Sequence, residues 1–106
     1  MRIQDLPFSR IAHELVGADH DVDVSIIFVA APPGDGPSLH KHPYAEVFIV
    51  TEGEGTFTVG GDEIVGREGD ILIAPPGTPH AFTNTGDGVL RQIDIHLSRS
   101  FQTEWL

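Results

Sequence analysis

The sequence predicts an all-β fold, a sandwich or barrel, and three observations carry that expectation. Short apolar runs recur between clusters of Gly, Pro and Asp, which is the rhythm of strands joined by turns. No segment shows a long apolar stripe with the period of a helix. Several runs, Ile26-Ile27-Phe28-Val29, Val47-Phe48-Ile49-Val50 and Ile71-Leu72-Ile73, are apolar on both faces, as strands covered on two sides must be.

In chain order, Phe8–His13 is a weak strand candidate and Val24–Ala31 a strong one. Pro32-Pro33-Gly34-Asp35-Gly36-Pro37 then breaks regular structure, because proline removes a donor and glycine admits angles that other residues avoid. Ala45–Thr51 and Gly55–Val59 follow as strands, and Gly60-Gly61-Asp62 reads as a tight hairpin turn into Glu63–Val65. Asp70–Ala74 and His80–Asn84 flank the stiff loop Pro75-Pro76-Gly77-Thr78-Pro79. Gly86-Asp87-Gly88 turns the chain into Val89–Leu97, and Ser98–Leu106 is expected to close it with a short helix. A small barrel covers only one face of each strand, so the doubly apolar runs ask for a second cover. The tail residues Phe101, Trp105 and Leu106 supply part of it, and a homodimer is the expected source of the rest.

With 106 residues the chain has room for one domain, taken as residues 1–106. Sixteen Asp and Glu against six Lys and Arg give a net charge of −10, which argues against nucleic acid and anionic membrane as partners. Met1–Ser9 holds no basic segment followed by an apolar one, and no apolar run approaches a membrane span, so the expected location is cytoplasmic. The absence of Cys removes disulfides, thiolate metal sites and a thiol nucleophile together. Any transition-metal site must then be built from His and carboxylate.

His40-Lys41-His42 meets that requirement. On an extended chain both imidazoles project to one side and Lys41 to the other, and if the strand runs on through Ala45, Glu46 and Phe48 keep the same parity. His80 begins a later strand with Phe82 and Asn84 on its parity. A set of three His and one carboxylate without sulfur suits an octahedral first-row ion with positions left open for water or substrate.

Gly34, five residues, His40-Lys41-His42, three residues, Glu46, six residues and Gly53 resembles the first cupin motif; Gly69, five residues, Pro75, one residue, Gly77, two residues, His80, three residues and Asn84 resembles the second. The chain is similar to small single-domain cupins. The resemblance implies a double-stranded β-helix, the jelly-roll barrel, with His40, His42, Glu46 and His80 holding a divalent transition metal, Mn, Fe, Ni, Co or Zn, inside its mouth. It implies turn roles for Gly53, Gly69 and Gly77 and a structural role for Asn84. Cupins include dioxygenases, isomerases, decarboxylases and sugar sensors, so fold alone does not choose the reaction.

Phe48 and Phe82 share parity with the ligands and are expected to wall a substrate pocket. Tyr44 and His96 are the candidates for a catalytic role. The alternation of Gln92, Asp94 and His96 puts these three on one strand face, turned either into the pocket or to solvent. Asp19-His20-Asp21-Val22-Asp23 imitates a calcium loop, but Val24 and Ala30 stand where the template needs Gly and Glu. The functional expectation is a metal-dependent enzyme, dioxygenase-like, on a small organic acid, enol or phenol; the alternative is a non-catalytic module that binds or senses such a ligand.

Overall fold

The computed structural model describes all of Met1–Leu106. It contains eleven strands: β1 Phe8–Ser9, β2 Ala12–Leu15, β3 Ser25–Ala31, β4 His40–Lys41, β5 Glu46–Glu52, β6 Glu54–Val59, β7 Asp62–Arg67, β8 Ile71–Ala74, β9 His80–Asn84, β10 Leu90–His96 and β11 Glu104–Trp105. Two short 3-10 turns, Ile3–Asp5 and Gly17–His20, are the only helical pieces. No helix is long and apolar enough to cross a membrane.

The strands form two antiparallel sheets, one in the order β1-β2-β3-β10-β5-β8 and the other β11-β4-β9-β6-β7. The core lies where their inner faces meet. Val29, Phe48, Val50, Leu72 and Leu90 come from the first sheet, Phe57 and Phe82 from the second. Phe57 stands between Phe48 and Phe82 with both ring centroids 5.5 Å away, and truncating it to Ala would cost about 3–5 kcal/mol. This all-β double layer is the jelly-roll arrangement that the motifs imply.

β10 pairs β3 on one side and β5 on the other, and its period-two pattern buries Leu90, Gln92, Asp94 and His96 in turn. The opposite faces of these strands explain the doubly apolar runs. Register lines up Ile73, Val47, Ile95 and Ile26 in one row across the outside of the sheet, and Ile71, Ile49, Ile93 and Phe28 in a second. At the β8 edge Ile71 and Ile73 remain 65% and 59% exposed.

Three local expectations need correction. Ser98–Leu106 forms no helix: Phe101 packs on His96 and Trp105 on His40, ring centroids 4.9 Å apart in each case, and β11 pairs with β4. Side chains four residues apart that must reach separate anchors are served by an extended tail, whereas a helix would stack them. Phe8–His13 is two strands, β1 and β2, joined by a reversal in which Arg10 takes φ 59°, a left-handed conformation that is uncommon for a residue with a side chain. Finally, no single strand carries His42 to Glu46. The chain leaves the β4 sheet after Lys41, bends through Pro43 and Tyr44, and enters the β5 sheet at Glu46.

Candidate metal centre

The bend after β4 brings the predicted residues together by a route other than parity. His40 and His80 are cross-strand partners on β4 and β9, so their side chains leave the second sheet side by side. Glu46 opens β5 in the facing sheet, and His42 lies on the crossing between them. One ligand-type atom from each of His40, His42, Glu46 and His80 falls within 4.8 Å of all the others, and all four residues are buried.

Main-chain carbonyls fix the orientation of the imidazoles. Nδ1–H of His40 donates to the oxygen of Ser38 at 2.7 Å, that of His80 to Thr78 at 2.9 Å and that of His42 to Gln102 at 2.8 Å. Each ring is thereby oriented by its Nδ1, which leaves Nε2 as the nitrogen that can ligate a metal, the usual way a protein prepares a metal-ligating His. His42 Nε2 lies 3.1 Å from Glu46 Oε1, yet it is buried without a hydrogen-bond partner. A bare nitrogen lone pair aimed at a carboxylate oxygen is repulsive unless a proton or cation lies between them. The donor set therefore fits a divalent ion with borderline preferences, of the class that binds imidazole and carboxylate.

The electrostatics agree. Burial by itself would raise the Glu46 carboxyl, but the imidazoles of His42, His80 and His96 around its oxygens outweigh this and hold it well below the usual range. Burial pushes the His80 imidazole down, but its 3.1 Å hydrogen bond to Glu46 Oε1 and its bond to Thr78 raise it overall. His40 is lowered, chiefly by burial and further by the neighbouring His80 and His42, which keeps its nitrogen free to ligate.

His96 turns inward, settling the choice that its strand pattern left open. Its Nδ1 lies 2.7 Å from the Tyr44 hydroxyl, and its Nε2 lies 3.2 Å from Glu46 Oε2 without hydrogen-bond alignment. Burial raises the Tyr44 phenol, so the hydroxyl stays protonated and can donate to His96 while accepting from the Gln102 N–H at 3.3 Å. Asn84 is structural: its side-chain amide donates to the oxygens of Ala31 and Gly88 at 2.9 and 2.8 Å, tying the turn after β9 to β3.

Beside this cluster lies a cavity of about 290 Å³. Phe48 and Phe82 line it, together with Ile27, Val29 and the tail residues Phe101 and Trp105. His40, His42, Glu46, Asp94 and His96 supply polar surface on the metal side, and Ser9, Arg10 and Glu14 from the β1–β2 reversal and Thr103 from the tail supply the rest. Phe101 and Trp105, expected to cover the outer face of the sheet, pack instead on His96 and His40 at the cavity, and the reversal was not foreseen, because neither carries a motif and both reach the site through long-range packing.

Comparison with known proteins places these features in a family. Residues 27–96 match the cupin domain model. Among curated relatives, an oxalate-binding protein from Thermotoga maritima is 35% identical over 57 residues, covering 53% of this chain and 47% of the relative. Protein SchB from Streptomyces halstedii is 40% identical over 67 residues, covering 61% of this chain and 47% of its own. The chain thus spans less than half the length of these relatives. In structure, a variant of Bacillus subtilis oxalate decarboxylase superposes with a TM-score of 0.87 at 20% identity, over 100% of this chain and 31% of that one. With the matching family model, the two-sheet barrel and the buried cluster at its motif positions in hand, this chain belongs to the cupin domain family.

Proposed function

We propose that residues 1–106 act as one metal-dependent cupin domain, in which His40, His42, Glu46 and His80 hold a divalent transition metal and a small enol, phenol or organic acid binds beside it. The single observation that carries this reading is the buried His42 Nε2, partnerless and 3.1 Å from Glu46 Oε1, at the edge of a cavity walled largely by apolar and aromatic side chains. When bound, a divalent ion supplies Lewis acidity and positions for exogenous oxygen ligands. Neutral imidazoles and one carboxylate leave the centre with one positive charge, a field that favours an enolate, phenolate or carboxylate.

The chain's own residues do the rest. Phe48 and Phe82 exclude water and offer flat surfaces to an unsaturated ligand. Tyr44, bonded to His96 Nδ1 at 2.7 Å, and His96, whose Nε2 lies 3.2 Å from Glu46 Oε2, are the candidates for moving a proton. Oxygen chemistry on an enol or phenol, a dioxygenase-like reaction, is the reading chosen. Its test is oxygen uptake by iron- or manganese-loaded protein with a panel of diketones, catechols and keto acids; no uptake with any of them sinks it.

A second reading, a module that binds a small acid without turning it over, is favoured by the oxalate-binding relative. Metal and ligand that raise the melting temperature with the ligand recovered unchanged would select it. The two apolar rows outside the larger sheet support a further part of the proposal, a homodimer that buries them.

A further inference from the structure

Asp94 is a carboxyl that the candidate metal centre does not use. It lies on β10 with Ile27 of β3 and Phe48 of β5 as its cross-strand partners, one inward position from His96, and its side chain lines the cavity. The residue is 3% exposed, enters none of the molecule's ion pairs, and receives one hydrogen bond, from Gln92 Nε2 to Oδ1 at 2.8 Å. Beside it Gln92 Oε1 is buried with no donor at all.

Such an arrangement is unfavourable for the fold alone. A carboxyl among apolar side chains with one partner loses its hydration without full replacement, and an apolar residue of similar volume would avoid that loss. Burial, reinforced by the Glu46 charge and only partly opposed by the Gln92 amide, holds its proton well above the usual carboxylate range. Its protonated form is a hydrogen-bond donor inside an apolar wall. Because the side chain lines the cavity, the carboxyl oxygen that Gln92 Nε2 does not contact is available to a ligand there.

The geometry points to Asp94 as a ligand-binding residue, whose carboxyl hydrogen-bonds an oxygen of the enol, phenol or acid held beside the metal through the oxygen that Gln92 leaves free. The assignment rests on the proposed function, because it takes from it the presence of an oxygen-bearing ligand in the cavity. It adds a specificity: an analogue whose remote oxygen is removed leaves Asp94 unpaired and binds more weakly.

The test uses the full chain with Asp94→Leu and Asp94→Asn, manganese as the metal, and catechol and acetylacetone as probes. Metal content, melting temperature without metal, and probe affinity by calorimetry are measured separately. Asp94→Leu is expected to melt higher than the wild type, take up the same manganese and bind the better probe at least tenfold more weakly. Asp94→Asn, which keeps size and a donor, is expected to stay within threefold of the wild-type affinity and decides the matter if the Leu variant does not fold. Wild-type affinity in Asp94→Leu, a tenfold loss in Asp94→Asn, or no binding of either probe to manganese-loaded wild type overturns the assignment. A wild type that takes up no manganese, nickel, cobalt, iron or zinc defeats the proposed function itself, and the metal content reveals that failure before any probe is added.

Discussion

His42 Nδ1–H ends on the main-chain oxygen of Gln102 at 2.8 Å, closing a bond between residues 60 apart in the chain. The tail therefore orients an imidazole of the candidate centre. Deleting residues 101–106 is expected to lower metal affinity about 10–100-fold, the usual cost of losing a hydrogen bond that orients a ligand. Competition against a chromophoric chelator measures it; an unchanged affinity would show that the tail only covers the site.

Among the ligands, His42→Ala and Glu46→Ala are each expected to reduce metal content well below that of the wild type. Asp21→Ala serves as the contrast, since Asp21 is an exposed acid paired with Arg99 at 3.0 Å. Elemental analysis of the three purified variants distinguishes them. Equal loss in all three would break the assignment.

Glu46 and His80 predict opposite pH limits for the metal-free protein. Although burial works against its charge, Glu46 is held below its ordinary value of 4.5, so its contribution to stability is present above that value and lost as pH falls towards the folded one. Burial also works against charge on His80, but its bonds hold it above 6.5; its contribution is complete below that value and is lost as pH rises through the folded one. Thermal melts without metal are expected to peak between these limits. The extra stability conferred by added metal has the contrary trend, growing as pH rises through about 6–7 because the ligand imidazoles must be neutral. A metal-induced shift that is flat from about pH 5 to 8 would remove the histidines as ligands.

Gly53 tests the tight link between β5 and β6. Its φ is 82°, and a Cβ there would meet the main-chain oxygen of Val89 at 2.3 Å. Gly53→Ala is expected to cost about 1–3 kcal/mol in denaturant unfolding, from left-handed backbone and forced displacement together. A change under about 0.5 kcal/mol would mean that the turn rebuilds freely.

The outer rows predict association. Light scattering at micromolar concentration is expected to give a dimer mass, and Ile73→Lys, at the exposed β8 edge, to shift it towards the monomer. A monomer mass for the wild type disposes of the dimer.

Much of this was legible in the sequence, and the parts that were not share a cause. The strands bounded by Gly and Pro clusters fall within a residue or two of the expected limits, as His80–Asn84 and Asp62–Arg67 show. The four candidate ligands converge because their spacing is a local signature of a fold that the whole chain adopts. His42 and Glu46, by contrast, belong to different sheets, and no local pattern reports a change of sheet. The tail was misread for the same reason: Glu104 pairs with Lys41 and Trp105 with His40, contacts between distant parts of the chain that outweigh weak local helix preference. On β10 the alternation identified a polar face but not its direction, which was set by apolar competition on the other face, where Ile93 and Ile95 join the outer rows.

The hydrogen bond from His80 Nε2 to Glu46 Oε1 at 3.1 Å joins β9 of one sheet to β5 of the other. Separating the layers at that end must break charge-assisted contacts in a buried setting, whereas the far edges, β7 and the outer side of β8, carry several exposed residues and no such tie. Amide hydrogen exchange should reflect this inversion: the ligand-bearing ends of β5 and β9 exchange together and late, and the barrel frays first along β7.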